Sequence, residues 1–323
     1  MLGVFTALRP RRWAGLATAG VLIACTMTDA GAASAAAKAA DEIARTAREC
    51  TKLGDFYWEI GDKNGAKASG QIGSDYSANS TIKIASASKW VWGAYVLEKT
   101  ARNSPPSDEE VEMLEMKSGF TLFNPVRCLL SRSVGSCMDS RGNDERETSK
   151  VGKFSYGGGH SQKLAMKLGL GRMNAEQLTA EVKRYIGPEL GFAYGRPQPA
   201  GGMESSPAQY AQFLRKIMSG KLKMHDYLGY KPVCTLPGVC KTALSSPVKE
   251  RWHYSLNHWI EDDPSTGDGS FSSPGLMGFY PWISADKKTY GILARQKLSG
   301  SAYWDSVECG REIRKAWMDA SGR

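Results

Sequence analysis

Ser86 and Lys89 stand three residues apart in the stretch IASASKW, directly before the apolar run Val91 to Leu97. On a helix this spacing puts both side chains on one face, so the amine stands beside the hydroxyl. A lysine at its ordinary pKa is a poor base, but burial and the positive end of a helix both disfavour the ammonium form and lower that pKa toward neutrality. The free amine can then take the serine proton, and the serine amide, unpaired at a helix start, can donate to an oxyanion. One element would supply a nucleophile, its base and half of an oxyanion hole.

Spacing alone says little, because Ser80/Lys83, Ser246/Lys249 and Ser284/Lys287 share it. Ser80 lies in the polar approach SANSTIK, Ser246 precedes Pro247 in a cysteine-flanked loop, and Ser284 begins a polar turn between strands. Only Ser86 opens an apolar helix, expected from about Ser86 to Lys99.

The order of elements indicates what must hold this pair. AAAKAADEIARTAREC reads as a helix, and DFYWEIGDKNGAKASGQIG as two strands around a turn at Lys63, Asn64 and Gly65, since FYWEI alternates and Asn-Gly favours a tight hairpin. From about 100 to 250 the pattern is helical with long loops. SDEEVEMLEM has a capping-box start, and SPAQYAQFLRKIMSG follows Ser-Pro with an apolar stripe and ends at glycine. Strands return after Trp252 in HYSLNHWIE, GLMGFYPWIS and KTYGILARQ, and WDSVECGREIRKAWMDA closes the chain as a helix. This order predicts a two-lobed α+β fold. An antiparallel sheet lobe built from both termini, about 36–85 and 250–320, is flanked by the terminal helices, and a mostly helical lobe, about 86–249, is inserted between its halves.

With 323 residues, 41% of them hydrophobic and 10% aromatic, the chain can bury a substantial core. Residues 1–35 have the layout of a secretory signal: basic RPRRW, apolar AGLATAGVLIA, and small-residue cleavage sites in DAGAASAAA. Arg11-Arg12 lacks the flanks of a twin-arginine signal. The predicted address is therefore outside the cytoplasm: periplasmic, secreted or lipid-anchored at a bacterial membrane. The formal charge of +9 falls by three if Arg9, Arg11 and Arg12 leave with the signal, and the remainder is dispersed. The densest basic patch, KIMSGKLKMH, has no interleaved aromatics, so nucleic acid is not an expected partner. No zinc spacing, phosphate loop, dinucleotide fingerprint or repeat is present, and neither a cofactor nor a metal is indicated. Nothing in the pattern sets an oligomeric state.

Seven cysteines leave one over if the rest pair in an oxidising compartment. Six thiols allow fifteen connectivities. Proximity suggests clips Cys128 to Cys137 and Cys234 to Cys240, and the helical patterns around Cys50 and Cys309 suggest a long tie between them. Cys25 is the odd one. LIAC, Leu22 to Cys25, resembles a bacterial lipobox in which the cysteine carries lipid; cleavage at Ala32 or Ala35 would discard it instead.

Beyond SASK, further segments occur in an order that resembles the serine β-lactamase and penicillin-recognising D,D-peptidase superfamily, particularly its class C-like branch with carboxylesterases and nylon-oligomer hydrolases. CLLSRSVGS is similar to that branch's LLSHTSG segment, and PAGGMESSPAQYAQFL to its PAGGL segment. SPGLMGFYPWIS followed by YGILARQ resembles the strand pair carrying its third motif. The resemblance runs from about 50 to 318 and implies a β-lactamase/transpeptidase-like fold and a Ser86 acyl-enzyme. The family's Tyr-x-Asn falls on Tyr156 with Gly158 in the asparagine's place, which makes Tyr156 the implied proton partner of Lys89 and removes an amide that usually holds the lysine and an amide substrate. The third motif falls on Ser273, Pro274 and Gly275, without its cation, so carboxylate recognition would need Arg295 or a loop lysine. Gly275 would let a substrate approach the backbone, the Leu276 amide would be the second oxyanion donor, and Pro274 would suit an edge strand.

The implied substrate is a small ester, amide or peptide. Three functions follow from this reading: an exported esterase or amidase, a D,D-peptidase or β-lactamase acting on cell wall or antibiotic, and a catalytically silent penicillin-binding-like lipoprotein. A different hydrolase plan rests on Ser161, where Gly159-His160-Ser161-Gln162 begins a Gly-x-Ser-x-Gly elbow; Lys163 takes the last glycine's place and SYGGG is a poor preceding strand. His253 and His258 fit structural or substrate contacts better than a triad base. EDDPSTGDGS has oxygen ligands enough for calcium but lacks EF-hand spacing, which leaves a solvated loop.

Overall fold

The computed structural model describes residues 1–3 and 29–322; Cys25 and the basic and apolar parts of the signal lie outside the described residues. Helices α1 (Asp29–Thr46) and α2 (Arg48–Thr51) lead into the hairpin β1 (Phe56–Asp62) and β2 (Gly65–Ile72). β3 (Ile82–Lys83) then enters a 3-10 turn, Ala85–Ala87, and α3 (Ser88–Thr100). The middle of the chain holds α4 (Asp108–Leu114), α5 (Val134–Met138), β4 (Phe154–Ser155), α6 (Gly159–Lys167), α7 (Ala175–Ile186), β5 (Ala193–Tyr194), β6 (Met203–Ser205) and α8 (Pro207–Met218). It ends with α9 (Met224–Tyr227), β7 (Val233–Cys234) and β8 (Ala243–Ser245). β9 (His253–Ser255), β10 (His258–Glu261), β11 (Ser270–Ser272), β12 (Tyr280–Ile283), β13 (Tyr290–Ala294) and α10 (Ala302–Ser321) complete it.

The two termini share one antiparallel sheet in the order β2-β1-β13-β12-β11-β10-β9-β7. β1 joins the halves by pairing with β13, Ile60 opposite Gly291. The helical insertion is not purely helical, because it sends β7 to the far edge of this sheet and forms two small sheets, β3-β6-β5 and β4-β8. The first helix also breaks: Ala47 is extended at ψ 135°, which separates α1 from α2.

Two apolar layers cover the sheet. On one side α1 presents Ala36, Ala40 and Ala44, a buried stripe at a four-residue period, and with α10, which contributes Trp317, covers Trp58 and Trp282 of the sheet. Cys50 and Cys309, with Cα atoms 4.7 Å apart, bond α2 to α10. On the other side lies α3, buried from Ser88 to Glu98 on every face, as expected of a helix apolar all round. Cys128 bonds to Cys137 and Cys234 to Cys240 as short clips in the insertion. Among the described residues no helix is long and apolar enough to cross a membrane.

A buried charge cluster fastens α10 to the sheet. The Glu261 carboxylate, fully buried, accepts from Arg314 at 2.9 Å, Arg311 at 3.1 Å and the Tyr280 hydroxyl at 2.7 Å. Removing one partner of such a group leaves charge uncompensated, so Arg314→Met should lower stability by about 3 kcal/mol. Urea unfolding checks this, and a loss below about 1 kcal/mol would mean that Arg311 alone suffices.

Candidate active site

The turn that carries Ser86 is built from both sides. Ile84 donates its amide to Met203 of β6 at 3.1 Å, and the Met203 amide donates to the Ser88 hydroxyl at 3.3 Å, which itself donates to the Ala85 carbonyl at 2.6 Å. Tyr210 of α8 donates its hydroxyl to the Ala87 carbonyl at 2.8 Å. These bonds hold Ala85 at φ 45°, a left-handed conformation that costs an alanine about 1 kcal/mol. Ser86 therefore sits in the 3-10 turn rather than in the first turn of α3, where the sequence placed it.

Lys89 reaches back along α3 to donate to Ser86 Oγ at 2.9 Å and to the Ala200 carbonyl at 3.0 Å. Lys89 is 4% exposed while Ser86 is only half-buried, so the amine is enclosed and the hydroxyl accessible. Burial pulls the Lys89 pKa down to about 7. Tyr156 completes the group. The Lys89 side-chain nitrogen lies 4.7 Å from the centre of its ring. Burial pushes the phenol up to about 12, with Ser86 and Trp259 pulling the other way.

The segment after β11 closes the site from the sheet side. Ser273 donates its hydroxyl to the Ser86 carbonyl at 3.2 Å, and a side chain at Gly275 would collide with the Ile84 carbonyl. Gly275 is thus required for the sheet to approach the nucleophile turn, not only for substrate to approach the backbone. Neither the Ser86 amide nor the Leu276 amide donates to a protein acceptor among the described residues, which leaves both open to an oxyanion. Pro274 follows β11, which is interior between β10 and β12; pairing with β10 ends at Ser272, while main-chain bonds toward the β12 side go on past the proline, Ser273 donating to the Pro281 carbonyl at 3.2 Å and Gly275 to the Phe279 carbonyl at 2.7 Å, so Pro274 lies where the β10 side of the ladder has stopped.

Gly158 faces Phe123 and Ala200, whose side chains would be 3.0 and 3.7 Å from a Cβ placed there. The Ala200 carbonyl accepts from the Lys89 amine at 3.0 Å, a contact that sequence reasoning missed although PAGG was singled out. Main-chain acceptors carry no residue signature. Phe123 and Trp259 were missed too, because contacts across elements leave no mark in spacing.

Several expected alternatives fail on geometry. Arg295 is not free to bind a carboxylate: it is 4% exposed and donates to Ser306, the Leu53 carbonyl and the Ala302 carbonyl. Lys297 is an exposed loop lysine whose amide bonds the Met277 carbonyl at 2.9 Å. Ser161 lies inside α6, 1% exposed, and the main sheet is antiparallel, so no strand-to-helix elbow presents it. His160 is fully buried between Ser118 at 2.8 Å and the Ser155 carbonyl at 3.0 Å, its pKa driven down to about 4 chiefly by desolvation. His258 is also fully buried and accepts the Gly229 amide at 3.0 Å, and His253 pairs with Asp262 at 2.8 Å. The 261–270 loop folds around its own carboxylates, Asp263 accepting from Arg251 and Ser265 amides; among the described residues no acidic or thiol cluster could hold a metal.

No family model and no curated protein matches the chain. Solved structures do. EstCE1, a hydrolase with promiscuous acyltransferase activity, is 10% identical with a TM-score of 0.65, over 88% of this chain and 99% of that one. The chain has the β-lactamase-like fold. The D-amino acid amidase of Ochrobactrum anthropi SV3 is 12% identical with a TM-score of 0.65, over 88% and 99% of the two chains. A β-lactamase from Mycobacterium bovis is 13% identical with a TM-score of 0.58, again over 88% and 99%. Within this fold, Ser86, Lys89 and Tyr156 meet between the sheet and the helical insertion.

A lysine whose folded pKa lies below its unfolded value binds fewer protons when folded, so stability rises with pH between about 7 and the unfolded value. Against Lys89→Met, the wild type should gain about 1.4 kcal/mol per pH unit across roughly pH 8 to 10. Denaturant unfolding of both proteins across that range tests this; a constant difference would show that Lys89 titrates normally.

Proposed function

We propose that the chain is an exported serine hydrolase that forms an acyl-enzyme on Ser86 and hydrolyses a small ester or amide. The observation that carries the reading is the enclosed Lys89 amine 2.9 Å from an accessible Ser86 hydroxyl, its pKa pulled down to about 7 by burial. Lys89 takes the Ser86 proton as Oγ adds to the substrate carbonyl. The Ser86 and Leu276 amides receive the oxyanion, and Tyr156 passes the proton to the leaving group while the carbon to leaving-group bond breaks. Water then repeats the sequence on the acyl-enzyme. Residues 1–35 serve as the export signal, and residues 36–320 form the hydrolase domain. Three cysteine pairs at bonding distance favour a periplasmic, secreted or lipid-anchored location, with lipid on Cys25 as one means of attachment.

Small uncharged esters or amides suit the site better than penicillins or D,D-peptides. Ser273, Pro274 and Gly275 bring no cation, Arg295 is fully engaged, and Phe123 lies where an amide-binding side chain would project. Exposed Lys297, beside the Gly275 to Met277 turn, is the feature that keeps the D,D-peptidase or β-lactamase reading as the second.

Intact-mass analysis after exposure to a fluorophosphonate, and separately to a fluorescent penicillin, distinguishes these readings. One fluorophosphonate should add, absent in Ser86→Ala and slowed about a hundredfold or more in Lys89→Ala, with penicillin adding far more slowly. Fast penicillin labelling lost in Ser86→Ala would favour the second reading. Labelling by neither would mean a silent protein and contradict both.

A further inference from the structure

We infer that the mouth of the Ser86 site docks on an anionic lipid surface. Among the described residues from 29 on, eight large apolar side chains are exposed, and six of them lie on two segments that border this site. The first segment belongs to the helical insertion and carries Leu122, Val126, Leu129 and Leu130, with Val126 65% and Leu130 93% exposed. It reaches the site through Phe123, whose ring lies against Gly158. The second belongs to the sheet. Exposed Leu276 follows Gly275, and Leu298, 88% exposed, follows Lys297, whose amide bonds the Met277 carbonyl at 2.9 Å. Single exposed leucines are ordinary on a protein surface, but their concentration around one site is not.

The first segment is braced, so its backbone cannot readily fold these side chains away. Pro125 begins a 3-10 turn, Pro125–Cys128, the Asn124 side chain accepts the Val126 amide at 2.9 Å, and Cys128 is bonded to Cys137. Buried Asn143 accepts the Asn124 amide at 2.9 Å and donates to the Cys137 carbonyl at 2.9 Å. Leu130 and Leu298 keep almost their whole surface in water, so they are protruding tips and not walls of a cleft that a small molecule could fill. A protein partner needs a continuous complementary face, whereas a lipid surface takes separate tips, each burying its own apolar area among acyl chains. Charge points the same way. From Phe120 to Met138 the chain has two cations, Arg127 and Arg132, both exposed, and no carboxylate. Exposed Lys297 stands beside Leu298. Cations next to inserting leucines meet lipid phosphate. Docked this way, Ser86 faces esters carried in the leaflet; that consequence rests on the acyl-enzyme reading, whereas the docking does not.

Hydrogen exchange of the exported protein, with and without vesicles, tests the docking and separates it from attachment by lipid on Cys25, which would leave these segments in water. With phosphatidylglycerol vesicles in excess, amides of 121–132 and 296–300 should exchange about fivefold or more slowly, and phosphatidylcholine vesicles should slow them less. Val126→Ser with Leu130→Ser should abolish the slowing over 121–132, and Arg127→Gln with Arg132→Gln should reduce it on the anionic vesicles alone. Hydrolysis of a soluble ester should stay within about twofold in both pairs, since neither touches the group at Ser86. No slowing in the wild type, or slowing that survives Val126→Ser with Leu130→Ser, would overturn the inference. The Ser86→Ala protein should behave as the wild type does; a requirement for Ser86 would show bound substrate in place of docking and would also overturn it. Protection in a wild type that forms no acyl adduct on Ser86 by intact mass would support the docking and overturn only the acyl-enzyme reading.

Discussion

An amine enclosed with no carboxylate for company is the constraint on which the site depends. The two hydrogen-bond acceptors of Lys89 are a hydroxyl and a main-chain carbonyl, both neutral, so nothing offsets the loss of water around its charged form. A carboxylate in either place would hold the ammonium and remove the base. The Ala200 carbonyl is well suited to this task, since it orients the nitrogen without adding a formal charge. Gly158 has no side chain with which to compete.

Keeping that amine dry requires three pieces of chain to meet at one turn. β6 and α8 hold the nucleophile turn from the helical side through Met203 and Tyr210, and Ser273 and Gly275 close on it from the sheet. The sheet can do so because its strands come from both ends of the chain, with β1 beside β13 and the Cys50 to Cys309 bond tying the helices behind them. A disulfide over so long a separation mainly restricts the unfolded chain. The positive φ at Ala85 is the local strain that this clamping sustains.

Patterns that follow backbone periodicity were legible in the sequence. The hairpin at Asn64-Gly65, the Ser107 to Glu110 capping box and the Ser206-Pro207 start of α8 each rest on local chemistry, and each has the backbone which that chemistry implies. The sheet shared by both termini could be read because strand signals bracket a helical middle. Ser86 was placed two residues too far into α3, because clamping by distant residues converts the helix start to a 3-10 turn. The short strands β3 to β6 were missed, two- and three-residue pairs that exist only because of their partners. Pro274 was assigned to an edge strand; β11 is interior, but its pairing with β10 ends at Ser272, just before the proline. In the site, side chains with chemical signatures could be named beforehand; the Ala200 carbonyl, the Phe123 wall and the Trp259 ring against Tyr156 depend on tertiary approach and could not.

The most direct measurement is an NMR titration of the Lys89 side chain, using lysine labelled with carbon-13 at Cε, assigned by its loss in Lys89→Met. The account predicts a midpoint at about 7. A midpoint near the ordinary lysine value of about 10.4 would mean that the amine is charged at working pH, and would contradict the account.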